Sequence, residues 1–265
     1  MNIHLLVIDP QVDFCDPNGA LYVKGAEKDM DRLSLFLNRV GQKLADVHVT
    51  MDSHHIYDIA HPTFWLDSSG KNPGPFSVIE PADVRKGRWQ PSIPAFFDKA
   101  INYLDMLETN NRYQCMIWPE HCLIGSAGSN FHPLFLNALL EWERSQPGNI
   151  VNKVTKGSNP FSEHYSAVQA EVPDPTDPTT QLNTALIKTL QDADEVVIAG
   201  EALSHCLANT VRDIANNFGD DEIRKLVLLT DASSNVAGLE NLGEDFVREM
   251  RGRGMQFSTT TDYLK

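Results

Sequence analysis

The sequence predicts an α/β fold of Rossmann-like, three-layer type, in which a mostly parallel central sheet of about six strands is flanked by helices. Two observations predict it: short apolar runs rich in β-branched residues recur along the chain, and segments with helical periodicity separate them. With 265 residues, of which 42% are hydrophobic, the chain can bury a core, which excludes a disordered protein. We therefore expect one domain over residues 1–265.

Six apolar runs are typical of buried strands. They cover residues 3–8, 47–51, 115–118, 150–154, 195–199 and 226–230. Strands that alternate with helices form parallel βαβ units, and the ligand crevice of such a sheet lies beyond the carboxyl ends of the strands. Residues directly after these runs are therefore the first candidates for function.

Apolar residues spaced i, i+3, i+4, i+7 predict the helices. Such series run from Leu33 to Leu44, from Leu207 to Phe218 and from Leu239 to Met250, and a further helix is expected from about Leu182. Prolines and glycines over residues 55–91 predict a long irregular excursion. We expect an insertion at about residues 55–113, with a role in function or in an oligomer contact.

The composition excludes several classes of protein. The 22 basic and 36 acidic residues give a net charge of −14 without a basic stripe, so we expect no nucleic acid and no membrane as partner. No apolar run approaches the length of a spanning helix, and no signal peptide is expected. The four cysteines lack a CxxC pair, which disfavours a disulfide scaffold or zinc ribbon and favours a cytoplasmic protein.

A carboxylate follows the first predicted strand. Asp9 opens the string DPQVDF, where the buried strand meets the crevice. Partial desolvation there raises the proton affinity of a carboxylate towards a range useful for acid/base catalysis. An aspartate in a turn or helix cap is the alternative, and the residue alone leaves it open.

Asp52 and His54 follow the second predicted strand. In an extended D-x-H string both side chains lie on one face, because side chains alternate with a period of two. They could share an ion with a distant third ligand, for which His121 in the string WPEHC is a candidate. A carboxylate with neutral imidazoles suits zinc, iron or manganese. The chain has nine histidines, so hydrogen-bonded structural histidines are the alternative.

Cys206 follows the fifth predicted strand, in the string GEALSHC, at the start of a helix that Ser204 would cap. Free amides and a partial positive charge at a helix N-terminus lower the pKa of a thiol and bind a developing oxyanion. This setting is typical of a nucleophile, whereas Cys15, Cys115 and Cys122 lack it and are assigned to packing. A small buried apolar residue is the alternative for Cys206 as well.

Lys156 follows the fourth predicted strand. A lysine beside an aspartate and a thiol stabilises the ionised pair, although most lysines are surface residues and Lys153 is an alternative for the role. No Walker A, GxGxxG, GxSxG or HExxH pattern is present. Nucleotide-binding, serine-hydrolase and zincin functions therefore lose their main support.

Taken together in their order along the chain, these short sequence motifs resemble those of the cysteine hydrolases of the isochorismatase-like superfamily, most closely the nicotinamidases. DPQVDF is similar to the family's D-x-Q-x-D-F opening, DSH to its D-x-H metal pair and WPEHC to its W-P-x-H-C string. KG at 156–157 and YSA at 165–167 resemble its K-G and Y-S-[AG] strings, and their spacing favours Lys156 over Lys153. The resemblance covers residues 9–230.

The resemblance implies catalytic roles for three side chains. Asp9 would be the general base, Cys206 the nucleophile that forms a thioester, and Lys156 the residue that stabilises the charged pair. The backbone amides of Ala202 and Cys206 would hold the oxyanion, and a cis peptide is implied between Glu201 and Ala202.

The resemblance also implies a divalent metal ion held by Asp52, His54 and His121. Zinc is the expected ion, with manganese and iron as alternatives, and His61 is a candidate fourth ligand. The metal would bind the pyridine nitrogen of the substrate. The implied substrate-binding residues are Phe14, Trp118, Tyr165 and Ala202.

The implied function is hydrolysis of a small carboxamide, nicotinamide to nicotinate and ammonia in NAD salvage, by a homo-oligomer. The nucleophile loop departs from the family's usual G-[small or branched apolar]-A-T-[DE]-[YF]-C at Glu201, Leu203, Ser204 and His205, which leaves the substrate open. Two alternatives remain. One is a metal-independent cysteine amidase for a carbamoyl or ureido substrate, and the other is a non-catalytic binding protein with the same fold.

Overall fold

The structure is a computed structural model that describes residues 1–265 and contains ten strands and eight α-helices. The strands are β1 (Ile3–Ile8), β2 (Asp46–Asp52), β3 (Trp65–Leu66), β4 (Val78–Ile79), β5 (Gln90–Pro91), β6 (Cys115–Met116), β7 (Asn152–Lys156), β8 (Glu195–Gly200), β9 (Leu226–Leu229) and β10 (Gln256–Ser258). The helices are α1 (Val12–Cys15), α2 (Ala26–Val40), α3 (Pro81–Arg85), α4 (Phe97–Asn110), α5 (Pro133–Ser145), α6 (Thr184–Gln191), α7 (Cys206–Phe218) and α8 (Glu240–Gly252).

Six strands form the central sheet in the order β10-β9-β8-β1-β2-β7, and every neighbouring pair is parallel. All six residues of β1 are buried, as expected for a strand in the middle of a sheet that is covered on both faces. Helices flank the sheet and pack against its strands and one another. The predicted three-layer α/β fold is confirmed.

Two details of the central sheet differ from the prediction. Residues 115–118 do not form a central strand, because only Cys115–Met116 is extended and it pairs antiparallel with β4 in a separate two-stranded sheet. The sixth central strand is instead β10 at the sheet edge. The three residues of β10 are exposed or half-buried. A short edge strand of this kind needs no run of apolar residues, so the sequence pattern did not indicate it.

The predicted helices are present with shifted ends. The series from Leu33 to Leu44 corresponds to α2, which ends at Val40 and continues as a 3₁₀ turn over Gly41–Lys43. The helix expected from about Leu182 is α6, and the side chain of Asn183 caps it by accepting from the amide of Leu186. None of the eight helices combines the length and apolar character that crossing a bilayer requires.

The segment predicted as an irregular excursion is more ordered than expected. It contains β3, β4, β5 and α3, and together with α4 and residues 115–117 it builds a second hydrophobic cluster of 11 buried residues. Phe64 and Trp65 are fully buried there, and the indole nitrogen of Trp65 donates to the carbonyl of Ile59 at 2.8 Å. Prolines and glycines thus set turns between short elements here. That this segment is an insertion into one domain stays a prediction.

Candidate active site

The carboxyl ends of four neighbouring strands bring the predicted catalytic residues together. Asp9 directly follows β1, Asp52 and Lys156 are the last residues of β2 and β7, and Cys206 begins α7 after β8. The parallel register pairs Asp52 with Lys156. The crevice therefore lies where doubly wound sheets place their ligands.

Lys156 lies between two carboxylates and a thiol. Its Nζ is 3.0 Å from Asp9 Oδ2, 3.1 Å from Asp52 Oδ1 and 3.5 Å from Cys206 Sγ, and all four residues are buried. Burial alone would lower the pKa of Lys156, but the two carboxylates raise it well above its usual value. The lysine therefore stays charged. Lys153, by contrast, is exposed on β7.

Asp9 is held by Thr50 of the neighbouring strand. The Asp9 amide donates to Thr50 Oγ1 at 3.0 Å, and this hydroxyl donates back to Asp9 Oδ1. The second carboxylate oxygen faces Lys156. Burial raises the pKa of Asp9, and Lys156 offsets part of this effect. A carboxylate with increased proton affinity, fixed in one orientation, is suited to accept a proton.

Burial is the main influence on the pKa of the Cys206 thiol. Burial raises its pKa well above the usual value, Lys156 acts in the opposite direction, and Asp9 and Asp52 raise it further. The predicted lowering of this pKa is therefore wrong, because burial and two neighbouring carboxylates outweigh the helix N-terminus and the lysine. A buried thiol of this kind needs an adjacent base, and one ligand atom each of Asp9, Asp52 and Cys206 lie within 4.8 Å of one another.

The loop before α7 leaves backbone amides beside the thiol free. The Ala202 carbonyl accepts from the amides of His205 and Leu207, at 3.0 and 3.2 Å, whereas the amides of Ala202 and Cys206 donate to no acceptor in the chain. The Glu201–Ala202 peptide is cis, as the resemblance implied. Two free amides next to a thiol form a donor pair for an oxyanion.

Ser204 does not cap α7, so that prediction is wrong. The residue before the helix is His205, and no side chain caps its first turn. Ser204 Oγ instead lies 2.8 Å from His205 Nδ1 and accepts from the amide of Val236 at 3.1 Å. The hydroxyl thus joins the nucleophile loop to the loop after β9.

Three histidine rings meet beside Asp52. One nitrogen each of His54, His61 and His121 lie within 4.8 Å of one another. Asp52 Oδ2 is 3.0 Å from His54 Nε2 and 3.4 Å from His121 Nε2. The His54 amide donates to the Cys122 carbonyl, which places the WPEHC string against the end of β2. All four potential ligands are buried.

The second nitrogens of these rings show that the donor set fits a divalent cation. His54 Nδ1 is 3.0 Å from Asp58 Oδ2, and His121 Nδ1 is 2.8 Å from the carbonyl of Pro119. Donation from these atoms leaves both Nε2 lone pairs directed at the carboxylate of the cluster. The Nδ1 atom of His61 is buried and has no hydrogen-bond partner. Three imidazoles and a carboxylate suit zinc.

Residues that support the site were missed in the sequence. The Gln11 side chain accepts from the Asp52 amide at 2.7 Å and donates to its carbonyl at 2.8 Å, and Asp13 Oδ2 accepts from the Cys122 amide at 2.6 Å. Both lie within the DPQVDF string, so their positions were detectable but their roles were not. Asp58, which contacts His54 Nδ1, belongs to no recognisable motif, so the sequence did not indicate its role.

A small cavity opens at the thiol. All four predicted substrate-binding residues, Phe14, Trp118, Tyr165 and Ala202, line it, and the indole of Trp118 donates to the hydroxyl of Tyr165 at 3.0 Å. The remaining lining residues are Leu21, Val23, Asp52, His121, Glu163, His205, Cys206 and Val236. None of the site residues lines a groove that lies beside α4.

Gly157 gives a first test of how tightly the site is packed. Its φ is +83°, and a Cβ atom there would lie 2.7 Å from Asp52 Oδ1 and 3.3 Å from the His54 ring. We expect Gly157→Ala to lower the free energy of unfolding by about 1–3 kcal/mol. Gly157→Ala should also reduce kcat/KM for the amide hydrolysis that the resemblance implies by roughly 100-fold, because the added Cβ displaces Asp52 and His54.

Gly125 provides the matched control, because its φ is also +83° but no atom lies within 4 Å of an added Cβ. Gly125→Ala should therefore show the backbone strain without the loss of activity. Chemical denaturation and steady-state kinetics of both variants make the comparison. Equal kinetics for the two variants would contradict the close packing around Asp52.

Comparisons with known proteins agree with this architecture. No family model matches the chain, and no curated protein matches it in sequence. Among solved structures, a nicotinamidase/pyrazinamidase from Acinetobacter baumanii is 22% identical with a TM-score of 0.66, over 99% of this chain and 98% of that one. The yeast nicotinamidase is 20% identical with a TM-score of 0.66, over 96% and 98%.

A pyrazinamidase of Pyrococcus horikoshii, solved in complex with zinc, is 20% identical with a TM-score of 0.58, over 98% of this chain and 99% of that one. Each likeness extends over nearly the whole of both chains, so it includes the segment with the second hydrophobic cluster. The resemblance stated from the motifs is thus confirmed at the level of the fold. The chain has the fold of the nicotinamidases and pyrazinamidases, that of the isochorismatase-like superfamily.

Proposed function

We propose that the protein is a cysteine amidohydrolase of the isochorismatase-like superfamily that cleaves nicotinamide to nicotinate and ammonia. The observation that carries the proposal is the contact of one buried Lys156 ammonium with both Asp9 and Cys206, at 3.0 and 3.5 Å. A lysine that only solvates the surface is exposed, and a cysteine that only fills the core needs no charged neighbour. Neither role explains a buried ammonium that contacts both a carboxylate and a thiol. A general base, a nucleophile and a fixed positive charge together support covalent catalysis.

In the first half-reaction, Asp9 accepts the proton of Cys206 and the sulfur attacks the carboxamide carbon. The charge of Lys156 stabilises the thiolate as it forms. The carbonyl oxygen becomes an oxyanion, which the amides of Ala202 and Cys206 hold, and each such donor contributes roughly 3–4 kcal/mol. The C–N bond then breaks, the proton on Asp9 passes to the leaving nitrogen, and ammonia and a thioester result.

In the second half-reaction, Asp9 takes a proton from water and the hydroxide attacks the thioester carbon. The same two amides hold the second oxyanion. The C–S bond breaks, the carboxylic acid leaves and the sulfur regains the proton from Asp9. Asp9 therefore accepts a proton and returns it in each half-reaction. The hydrogen bond from Thr50 holds the Asp9 carboxylate in place for both transfers.

The cluster beside the thiol orients the substrate. Asp52, His54, His61 and His121 would hold a zinc ion, whose bound form supplies a Lewis-acid site for the ring nitrogen of the substrate. Phe14 and Trp118 provide apolar walls that exclude water and contact the faces of an aromatic ring. The proposed substrate therefore combines an aromatic ring nitrogen with a carboxamide.

Ammonia release from nicotinamide tests the proposal, with and without a chelator. We expect the chelator to reduce kcat/KM strongly and added zinc to restore it, because ring orientation depends on the cluster of imidazoles. A metal-replete, reduced protein that releases no ammonia from nicotinamide would refute the substrate. Thiol alkylation at Cys206 without any hydrolysis of small amides would favour a binding protein instead.

One observation favours a second candidate, a cysteine amidase for a carbamoyl or ureido substrate. Glu163 lies in the cavity wall, and its Oε2 is buried without a hydrogen-bond partner. Such an oxygen could accept from the N–H groups of a ureido substrate. Hydrolysis of an N-carbamoyl compound that survives chelation would establish this alternative. Homo-oligomerisation and a cytoplasmic location stay predictions.

A further inference from the structure

A second cluster of metal-ligating side chains lies at the other end of the central strands. His4 on β1 pairs in register with Asp46 on β2, and His48 is two residues further along β2. The three side chains therefore share one face of the sheet. They lie near the amino ends of strands whose carboxyl ends carry Asp9 and Asp52, about 13–20 Å away along the strands at 3.3 Å per residue.

The ligand atoms of this cluster converge. One atom each of His4, Asp46 and His48 lie within 4.8 Å of one another. His48 Nε2 is 3.0 Å from His4 Nδ1 and 3.7 Å from Asp46 Oδ2. The other carboxylate oxygen, Asp46 Oδ1, accepts hydrogen bonds from Asn152 Nδ2 at 2.8 Å and from the Val47 amide at 2.9 Å. Asp46 is thereby held with Oδ2 free for the imidazoles.

The surroundings suit a bound cation with access from solvent. Both imidazole rings are buried. The side chain of Asp46 is 28% exposed, so an ion can reach the cluster from solvent. Asp192 adds negative charge near His4. His4 is moreover the one polar residue in β1.

We propose that His4, Asp46 and His48 form a second metal site, for a divalent transition ion of the zinc class, separate from the cluster at the thiol. Two imidazoles and a carboxylate suit zinc, cobalt, nickel or copper rather than magnesium or calcium. With an ion bound, His4 would ligate through Nδ1 and His48 through Nε2, and each ring would keep its proton on the other nitrogen. The ion would join β1 to β2 and stabilise the middle of the sheet.

Zinc content after equilibrium dialysis tests the site. Wild-type protein should hold one zinc ion per chain more than His48→Gln, while His48→Gln retains the hydrolytic activity of wild type. His132→Gln is the matched control, because His132 is also a buried histidine but belongs to neither cluster. Its zinc content should equal that of wild type. Equal zinc content in folded His48→Gln and wild type would overturn the site and leave a histidine pair joined by a hydrogen bond only.

A measurement on the wild-type chain covers the case in which His48→Gln does not fold. Zinc added to metal-free protein labelled with ¹⁵N at histidine should shift the resonances of His4 Nδ1 and His48 Nε2 at saturation. Resonances that stay in place under saturating zinc would also overturn the site. Neither measurement depends on whether the cluster at the thiol binds metal, because each reports on His4 and His48 directly.

Discussion

Replacing Cys206 with alanine should reduce kcat for amide hydrolysis by roughly 10⁴- to 10⁶-fold. The proposed reaction forms its covalent bond to this sulfur, and no other cysteine lines the cavity. The three remaining cysteines are buried elsewhere in the chain. Steady-state ammonia release, with mass spectrometry for the acyl-enzyme in a quenched wild-type reaction, gives the measurement.

Cys115→Ala is the control for this variant, because Cys115 is buried in the second hydrophobic cluster and has no role in the reaction. It should lose stability but keep kcat. Cys206→Ala should keep the metal content of wild type, since Cys206 lies outside the histidine cluster. Hydrolysis at the wild-type rate by Cys206→Ala would exclude a covalent mechanism and leave direct attack by water as the remaining route.

The sequence predicted the place of those candidate site residues that follow strong apolar runs. Asp9, Asp52 and Cys206 follow strands whose alternation with helices is plain, and the parallel arrangement places the ends of such strands at one edge. Lys156 could be separated from Lys153 only by its spacing to the YSA string. In the structure the same distinction is physical, because Lys153 points away from the site and is exposed.

The parts that could not be predicted depend on contacts between distant segments. His61 was a candidate ligand only through the family resemblance, because it belongs to the segment taken as an irregular excursion and only folding brings it to His121, with nitrogens 3.4 Å apart. Tyr113, at the end of the expected insertion, donates to the carbonyl of Ser204 and so fixes the nucleophile loop. The pKa of Cys206 was misjudged for a similar reason. Burial and the approach of two carboxylates are properties of the tertiary structure, whereas the helix N-terminus is visible in the sequence.

Lys156→Met should lower the free energy of unfolding by about 3–5 kcal/mol as well as abolish hydrolysis. The variant keeps most of the side-chain volume but removes the one positive charge that contacts both Asp9 and Asp52. Asp9 would then lie buried beside Asp52 without a positive partner of its own, and it would have to take up a proton. Urea denaturation gives the stability, and ammonia release gives the activity.

Two further variants separate the charge effect from a loss of packing. Lys153→Met changes an exposed lysine on the same strand and should alter stability by no more than about 0.5 kcal/mol. Asp9→Asn in the Lys156→Met background removes the uncompensated carboxylate, so the double variant should regain part of the lost stability although it stays inactive. If the two substitutions were simply additive, the loss in Lys156→Met would be a packing effect. A recovery would instead show that Lys156 and Asp9 form a coupled ion pair, the state from which Asp9 accepts the proton of the thiol in the proposed reaction.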